Sequence, residues 1–352
     1  MSEQFIGPPK TDHGTLPNLK WSFCDSHNRL SEGGWARQTT VRELPIATEL
    51  AGVNMRLTVG SVREMHWHME GEWAYMIKGK ARITLVDQNL CALQADVGEG
   101  EGWFFPAGIP HSIQGLGEDG CEFLLVFDDG DFDENSTLLL TDWLACTPKE
   151  VIAKNFNVPE SALDRMPQNE LYIFPSQVPP PLEKDKVAGL GPVPIAYCHQ
   201  LMKLDPIKTK YGTARILDGK LFPASTISAA LVEVEPGGMR ELHWHPNADE
   251  WQYYLSGQGR MTVFAGNRSA QTFDYQAGDV GYIPRALPHY VENTEKTTLR
   301  FLEMFRSPKF EDIPLAQWLA FTPHELVRSH LNIDESVLAK IPKHRVPIVG
   351  RE

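Results

Sequence analysis

Two stretches of the chain carry the same four metal-ligating residue types, in the same order and at nearly the same spacing. The first is His66-Trp67-His68, then Glu72, then His111; the second is His243-Trp244-His245, then Glu250, then His289. His243 lies 177 residues after His66, and His289 lies 178 after His111. One quartet arises by chance. Two in register mean a duplicated domain, each half built around three imidazoles and one carboxylate. Such a nitrogen- and oxygen-donor set without thiolate suits Mn(II), Fe(II), Ni(II) or Zn(II).

The duplication runs past the ligands. GEWAYMIKGKARITLV at 71–86 is answered by DEWQYYLSGQGRMTVF at 249–264. Trp143-Leu144-Ala145 followed by Thr147-Pro148-Lys149-Glu150 is answered by Trp318-Leu319-Ala320 followed by Thr322-Pro323-His324-Glu325. Both copies predict a helix start, with threonine as N-cap, proline at N1 and glutamate at N3 closing a capping box. Elsewhere the texture is short β-rich runs such as ARITLV, CEFLLVF and ISAALVEV, broken by Gly and Pro. That pattern predicts an all-β fold with short appended helices. A proline- and glycine-rich segment at 175–194 marks the linker, so the domains are 1–180 and 181–352.

Strand geometry accounts for much of the ligand spacing. Residues i and i+2 share a face, so an HxH run turns two imidazoles to one interior and sends Trp67 or Trp244 outward. Glu72 has the parity of His66 and His68 and can face the same way. Glu250 follows His245 by five residues, so a loop or bulge must absorb the extra one. Arg63, three before His66, would point away under strict alternation; it faces inward only if the strand is irregular there.

Net charge is −13 with no basic run, which excludes nucleic acid and anionic membrane surfaces as partners. No apolar run is long enough to span a bilayer. The start, MSEQFIGPPK, lacks the basic and apolar regions of a signal peptide, so the expected location is cytoplasmic, or secreted if the chain is a trimmed form. Five scattered cysteines without a CxxC fit free thiols.

At these residues the chain resembles a known family. The first cupin motif, G-x5-H-x-H-x3,4-E-x6-G, is met by Gly60, His66, His68, Glu72 and Gly79, and again by Gly237, His243, His245, Glu250 and Gly257. The second is met by Gly100, Pro106, Gly108 and His111, with Gly115 in place of its asparagine. In the other half Gly278, Pro284, His289 and Asn293 match, with Ala286 in place of glycine. The chain is identified as a bicupin, which implies two jelly-roll β-sandwich barrels. More closely it resembles the oxalate decarboxylases, through REMHWH, EWAYMI, FPAGIPHSIQ, CEFLLVFDDG, ENST, RELHWH, EWQYY and GDVGYIP.

The resemblance implies decarboxylation of oxalate to formate and CO2, with up to two Mn(II) per chain and O2 as a required co-catalyst. It implies that Arg63 holds the substrate and that Glu134 moves the proton, on a lid made of Asp133, Glu134, Asn135, Ser136 and Thr137. Taken alone, DDGDFDENST reads as an acidic surface loop. Asp133 stands where bacterial relatives tend to carry serine, and a like charge beside Glu134 is expected to raise its pKa. Arg240 and Glu303 resemble the second-site arginine and acid, with no lid counterpart and with Phe310 where some relatives have tyrosine. Trp67 and Trp244 are the implied stacking pair across a subunit boundary, in a homo-oligomer that is a trimer or hexamer. The competing expectations are an oxalate oxidase producing CO2 and H2O2, or a dioxygenase, and a non-catalytic, storage-type bicupin.

Overall fold

The computed structural model describes residues 9–185 and 191–351. The centre of the expected linker and the start MSEQFIGP lie outside them. The chain folds into two barrels of antiparallel sheet, as expected of a bicupin. In the first half two long strands, Glu72–Val86 and His111–Phe127, run through both sheets of the sandwich and join them into one twelve-stranded system. The second half breaks the corresponding strands into Glu250–Ser256 with Gln258–Phe264, and His289–Asn293 with Leu299–Phe305, leaving separate seven- and six-stranded sheets. Both halves turn the corner at a glycine in the left-handed region, Gly79 at φ 80° and Gly257 at φ 81°. A side chain there would be strained.

Each barrel has its own apolar interior, and a third core lies between them. Trp73, Tyr75, Phe104, Leu124 and Val126 of the first half meet Leu231, Trp251, Tyr253, Tyr282 and Met304 of the second, all buried. Gly52 is part of that contact: a Cβ there would stand 2.4 Å from Trp251 Cζ2. The halves also exchange strands. Lys20–Ser22 pairs with Asp279–Ile283 of the second half, and Asp12 accepts hydrogen bonds from Thr272. Conversely Cys198–His199 pairs with Gly102–Phe105 of the first half. Each side of the expected 180/181 division therefore completes a sheet belonging to the other.

The appended helices are Leu140–Ala145 and Lys149–Phe156, answered by Leu315–Ala320 and His324–Leu331. Their expected capping boxes do not form. Thr147 and Thr322 instead donate to the carbonyls of Trp143 and Trp318, at 2.7 Å each. The hydroxyl closes the preceding helix, the next begins one residue later behind Pro148 or Pro323, and no side chain caps it.

His199 sits in the seam between the halves. Its Nε2 donates to the Ala74 carbonyl at 3.1 Å, its ring stacks on Trp73 at 5.1 Å, and Nδ1 is buried without a partner. Burial pushes its pKa down to about 4. The unfolded chain protonates this imidazole near pH 6.5 and the folded chain only near 4. Its contribution is complete above pH 6.5 and fades as pH falls toward 4, on the order of 3 kcal/mol in all. His199→Gln should therefore flatten the loss of stability between pH 6.5 and 4.5. Urea midpoints of variant and parent at matched pH check this; parallel curves would show that His199 is not the group responsible.

Candidate metal centres and active site

Each ligand set is assembled by one short strand against one later strand. Val62–Trp67 pairs antiparallel with the start of His111–Phe127, placing His66 opposite His111. Gly238–Trp244 does the same with His289–Asn293, placing His243 opposite His289. The register slips between Arg63 and His66, and again between Arg240 and His243. This is the irregularity that Arg63 needed, and both arginines are about 1% exposed. The glutamates are reached differently from the strand-parity expectation. The first strand ends at Trp67, a turn follows, and Glu72 opens the next strand. Glu250 likewise opens its strand after a longer turn, in which Asn247 donates to Ser307 Oγ at 3.1 Å and to the Lys309 carbonyl at 2.9 Å.

His66, His68, Glu72 and His111 converge so that their ligand atoms lie within 4.8 Å of one another, as do His243, His245, Glu250 and His289. All eight residues are buried. Backbone carbonyls hold the outer nitrogen of every ring. Nδ1 of His66, His68 and His111 meets the carbonyls of Glu64, Glu70 and Ile109; Nδ1 of His243, His245 and His289 meets those of Glu241, Glu311 and Leu287. A carbonyl only accepts, so each ring keeps its proton on Nδ1 and offers the Nε2 lone pair inward. His289 Nε2 stands 2.8 Å from Glu250 Oε2 and His111 Nε2 3.7 Å from Glu72 Oε2, and with the ring protons on Nδ1 neither pair is a hydrogen bond. Uncompensated donor atoms facing one another at this spacing fit a divalent cation. Burial pushes the pKa values of His66 and His243 well down, keeping them neutral.

The second oxygen of each carboxylate is held by a donor that sequence reasoning did not single out. Trp103 Nε1 donates to Glu72 Oε1 at 3.0 Å. In the other half the residue in register with Trp103 is Gly281, and Gln252 Nε2 donates to Glu250 Oε1 at 2.7 Å instead.

Beside the first centre, Arg63 contacts Glu134 Oε1 through Nε at 3.0 Å and Nη2 at 2.9 Å, and donates from Nη2 to Thr137 Oγ1 at 2.9 Å. Its Nη1 is buried and unpartnered. Glu134 is 5% exposed and also accepts from the Tyr172 hydroxyl at 3.2 Å. Burial raises its pKa, and Glu72 adds to this against the pull of Arg63. Asp133 is not the cause. It turns away to Arg42 at 2.8 Å and Gln38 at 3.2 Å, and Asn135 N–H caps it at 3.0 Å. Burial alone would raise Asp133, but these donors bring it down to about 2. Asn135 and Ser136 bond Asp133 rather than the site, at 3.0 and 3.3 Å.

Tyr172 carries no motif, and its backbone is left-handed at φ 55°. Glu64 holds it there, accepting from the N–H groups of Leu171 and Tyr172 at 2.8 and 2.6 Å and from the Thr141 hydroxyl at 2.8 Å. The one available signal was the recurrence of the acid in REMHWH and RELHWH. At the second centre Arg240 meets Glu303 Oε1 at 3.1 Å and Asp312 Oδ2 at 2.7 Å, while Phe310 stands edge-on to His245 at 5.9 Å. Trp67 and Trp244 do face outward, and each meets a tryptophan of its own chain edge-on at 5.6 Å, Trp143 and Trp318.

The cupin family profile matches residues 24–163 and 199–338. Over 98% of this chain and 90% of the relative, the sequence is 54% identical to oxalate decarboxylase OxdC of Bacillus subtilis (strain 168). The chain belongs to the oxalate decarboxylase family of bicupins. A probable oxalate decarboxylase of Arthroderma benhamiae is 41% identical over 98% of this chain and 86% of its own length. A solved structure of the Bacillus subtilis oxalate decarboxylase, from a study of its Mn(II) centres, superposes with a TM-score of 0.96 over 98% of this chain and 92% of that one. The chain is thus an enzyme of this family with two His3Glu centres.

The two outer donors to the carboxylates can be separated. Trp103→Phe should weaken metal binding at the first centre alone, and Gln252→Ala at the second alone, each by roughly 10- to 100-fold. Titration against a competing chelator reads both; unchanged affinities would show that neither donor orients its glutamate.

Proposed function

We propose that the chain converts oxalate to formate and CO2 at the first centre, with Mn(II) bound there and O2 required but not net consumed. The observation that carries this is Arg63: a buried guanidinium beside the His3Glu cluster, paired to one carboxylate and keeping Nη1 uncommitted. A bound Mn(II) would supply Lewis acidity and a one-electron couple.

The residues of the chain do the rest. A cavity of about 190 Å³ reaches Glu134 and Tyr172 and is lined by Arg29, Arg37 and Arg42. Glu43 and Glu134 also line it, and Arg29 and Arg42 are paired with Glu170 and Asp133, so the attraction of a small anion falls to Arg63 and to a bound cation. Arg63 takes the carboxylate end that stays in the product, and its planar fork fixes the orientation. Glu134 holds a proton more firmly than an exposed glutamate would. It accepts the proton of bound mono-oxalate, and when the C–C bond breaks and CO2 leaves, it returns that proton to carbon. Oxalate dianion and one proton give formate and CO2, so the balance closes. Thr137 and Tyr172 hold Arg63 and Glu134 in register, and burial keeps water from the reacting carbon.

Glu134→Ala should keep both metals and lose formate production by about two orders of magnitude or more. Some flux should then divert to H2O2. Arg63→Lys should lower both products together, because one point charge cannot reproduce the fork. Formate and peroxide yields at matched metal content measure this, with elemental analysis expected to show manganese above zinc. Peroxide as the main product of the unaltered chain would make it an oxidase instead.

We also infer a trimer or hexamer. The appended helices leave Trp143, Val151, Phe156, Trp318, Leu326 and Leu331 exposed at matching places in the two halves. Light scattering at micromolar concentration should give three or six times the mass of the 39.6 kDa chain, and a monomer or any other multiple would end this reading.

A further inference from the structure

The two centres differ at one position in a way that the duplication itself makes visible. Leu138 pairs with Trp67 and Leu139 with His66; in the second half Ile313 pairs with Trp244 and Pro314 with His243. The registers coincide, so Asp312 occupies the place of Thr137. Both residues meet Nη2 of the local arginine, the threonine at 2.9 Å and the aspartate at 2.7 Å. Each arginine also gives its Nε to a buried glutamate, Glu134 or Glu303. The two glutamates come from different elements, but at the position facing Nη2 a neutral hydroxyl has been exchanged for a carboxylate.

The exchange changes what the arginine can hold. The Thr137 hydroxyl, which donates to the Glu134 carbonyl at 3.2 Å, is neutral and sets no charge against an incoming oxygen, whereas an ionised carboxylate only accepts. Arg63 balances one carboxylate and keeps Nη1 free. Arg240 balances two, its Nη1 lies 3.5 Å from the Pro347 carbonyl and 3.7 Å from Glu241 Oε1, and Arg345 reaches round to secure Asp312. An oxalate dianion arriving here would have to displace a charge-assisted bond and sit against like charge.

We propose that Asp312 is the specificity residue that closes the second centre to oxalate, a built-in carboxylate standing on Arg240 where the substrate would bind. The inference rests on the reading of the first centre as the oxalate site, and the experiment keeps the two apart.

The test uses the full metal-loaded chain carrying Glu134→Gln, so that oxalate is not consumed, with radiolabelled oxalate in equilibrium dialysis and metal counted on the same samples. One oxalate per chain is expected, unchanged by Arg240→Ala. Adding Asp312→Thr or Asp312→Asn should raise the count by one, with second-centre affinity at least roughly tenfold tighter. Two oxalates per chain with Asp312 in place would overturn the proposal, as would a count that Arg240→Ala lowers. So would an unchanged count in both Asp312 variants with two metals retained. No binding before Asp312 is replaced would instead sink the first-centre reading, and the rise on replacement would still decide this one.

Discussion

Everything at the two centres depends on a cluster of buried donor atoms that cannot satisfy one another. Three imidazole lone pairs and a carboxylate oxygen face inward because backbone carbonyls occupy every Nδ1–H. Removing such groups from water without a partner costs several kcal/mol or more. The barrel tolerates the cost because a cation offsets it. The same constraint sets the local fold: two short strand ends must pair so that His66 meets His111, and the turn after His68 must deliver Glu72.

Onto that common frame the halves graft different chemistry. In the first, the acid beside the arginine comes from the segment 133–137, outside the sheets. In the second it is Glu303, inside the strand Leu299–Phe305, where it cannot move without moving the barrel. The first arginine has a spare N–H; the second is enclosed by acids and a carbonyl. Duplication preserved the ligands and let the residues one layer out diverge.

The halves are also bound to each other more closely than a linker requires. An arm from the beginning of the chain completes a sheet of the second barrel, a strand from the second completes a sheet of the first, and Trp73 and Trp251 are fully buried between them. Two barrels sharing a core and exchanging edge strands leave few open sheet edges and resist separate unfolding.

The duplicated quartet, the strand-type runs and the cupin spacing were all legible in the sequence, because period-2 alternation and ligand spacing are local properties of a chain. Parity turns Arg63 away from the histidines, and only the family resemblance called for the bend that brings it inward. Long-range placement was not legible. Asp133 and Glu134 are neighbours in sequence, yet one faces Arg42 and the other Arg63, so charge proximity along the chain misjudged their coupling. Thr147 and Thr322 carried a capping pattern, but a competing carbonyl four residues back took the hydroxyl. Tyr172 and Asp312 reach the sites from segments tens of residues from the nearest ligand, and Trp103 reaches Glu72 from a different strand. The sequence by itself determined the fold class and which side chains can hold a metal. Only the tertiary structure decided which arginine keeps a free hydrogen bond, because that depends on what distant segments bring against it.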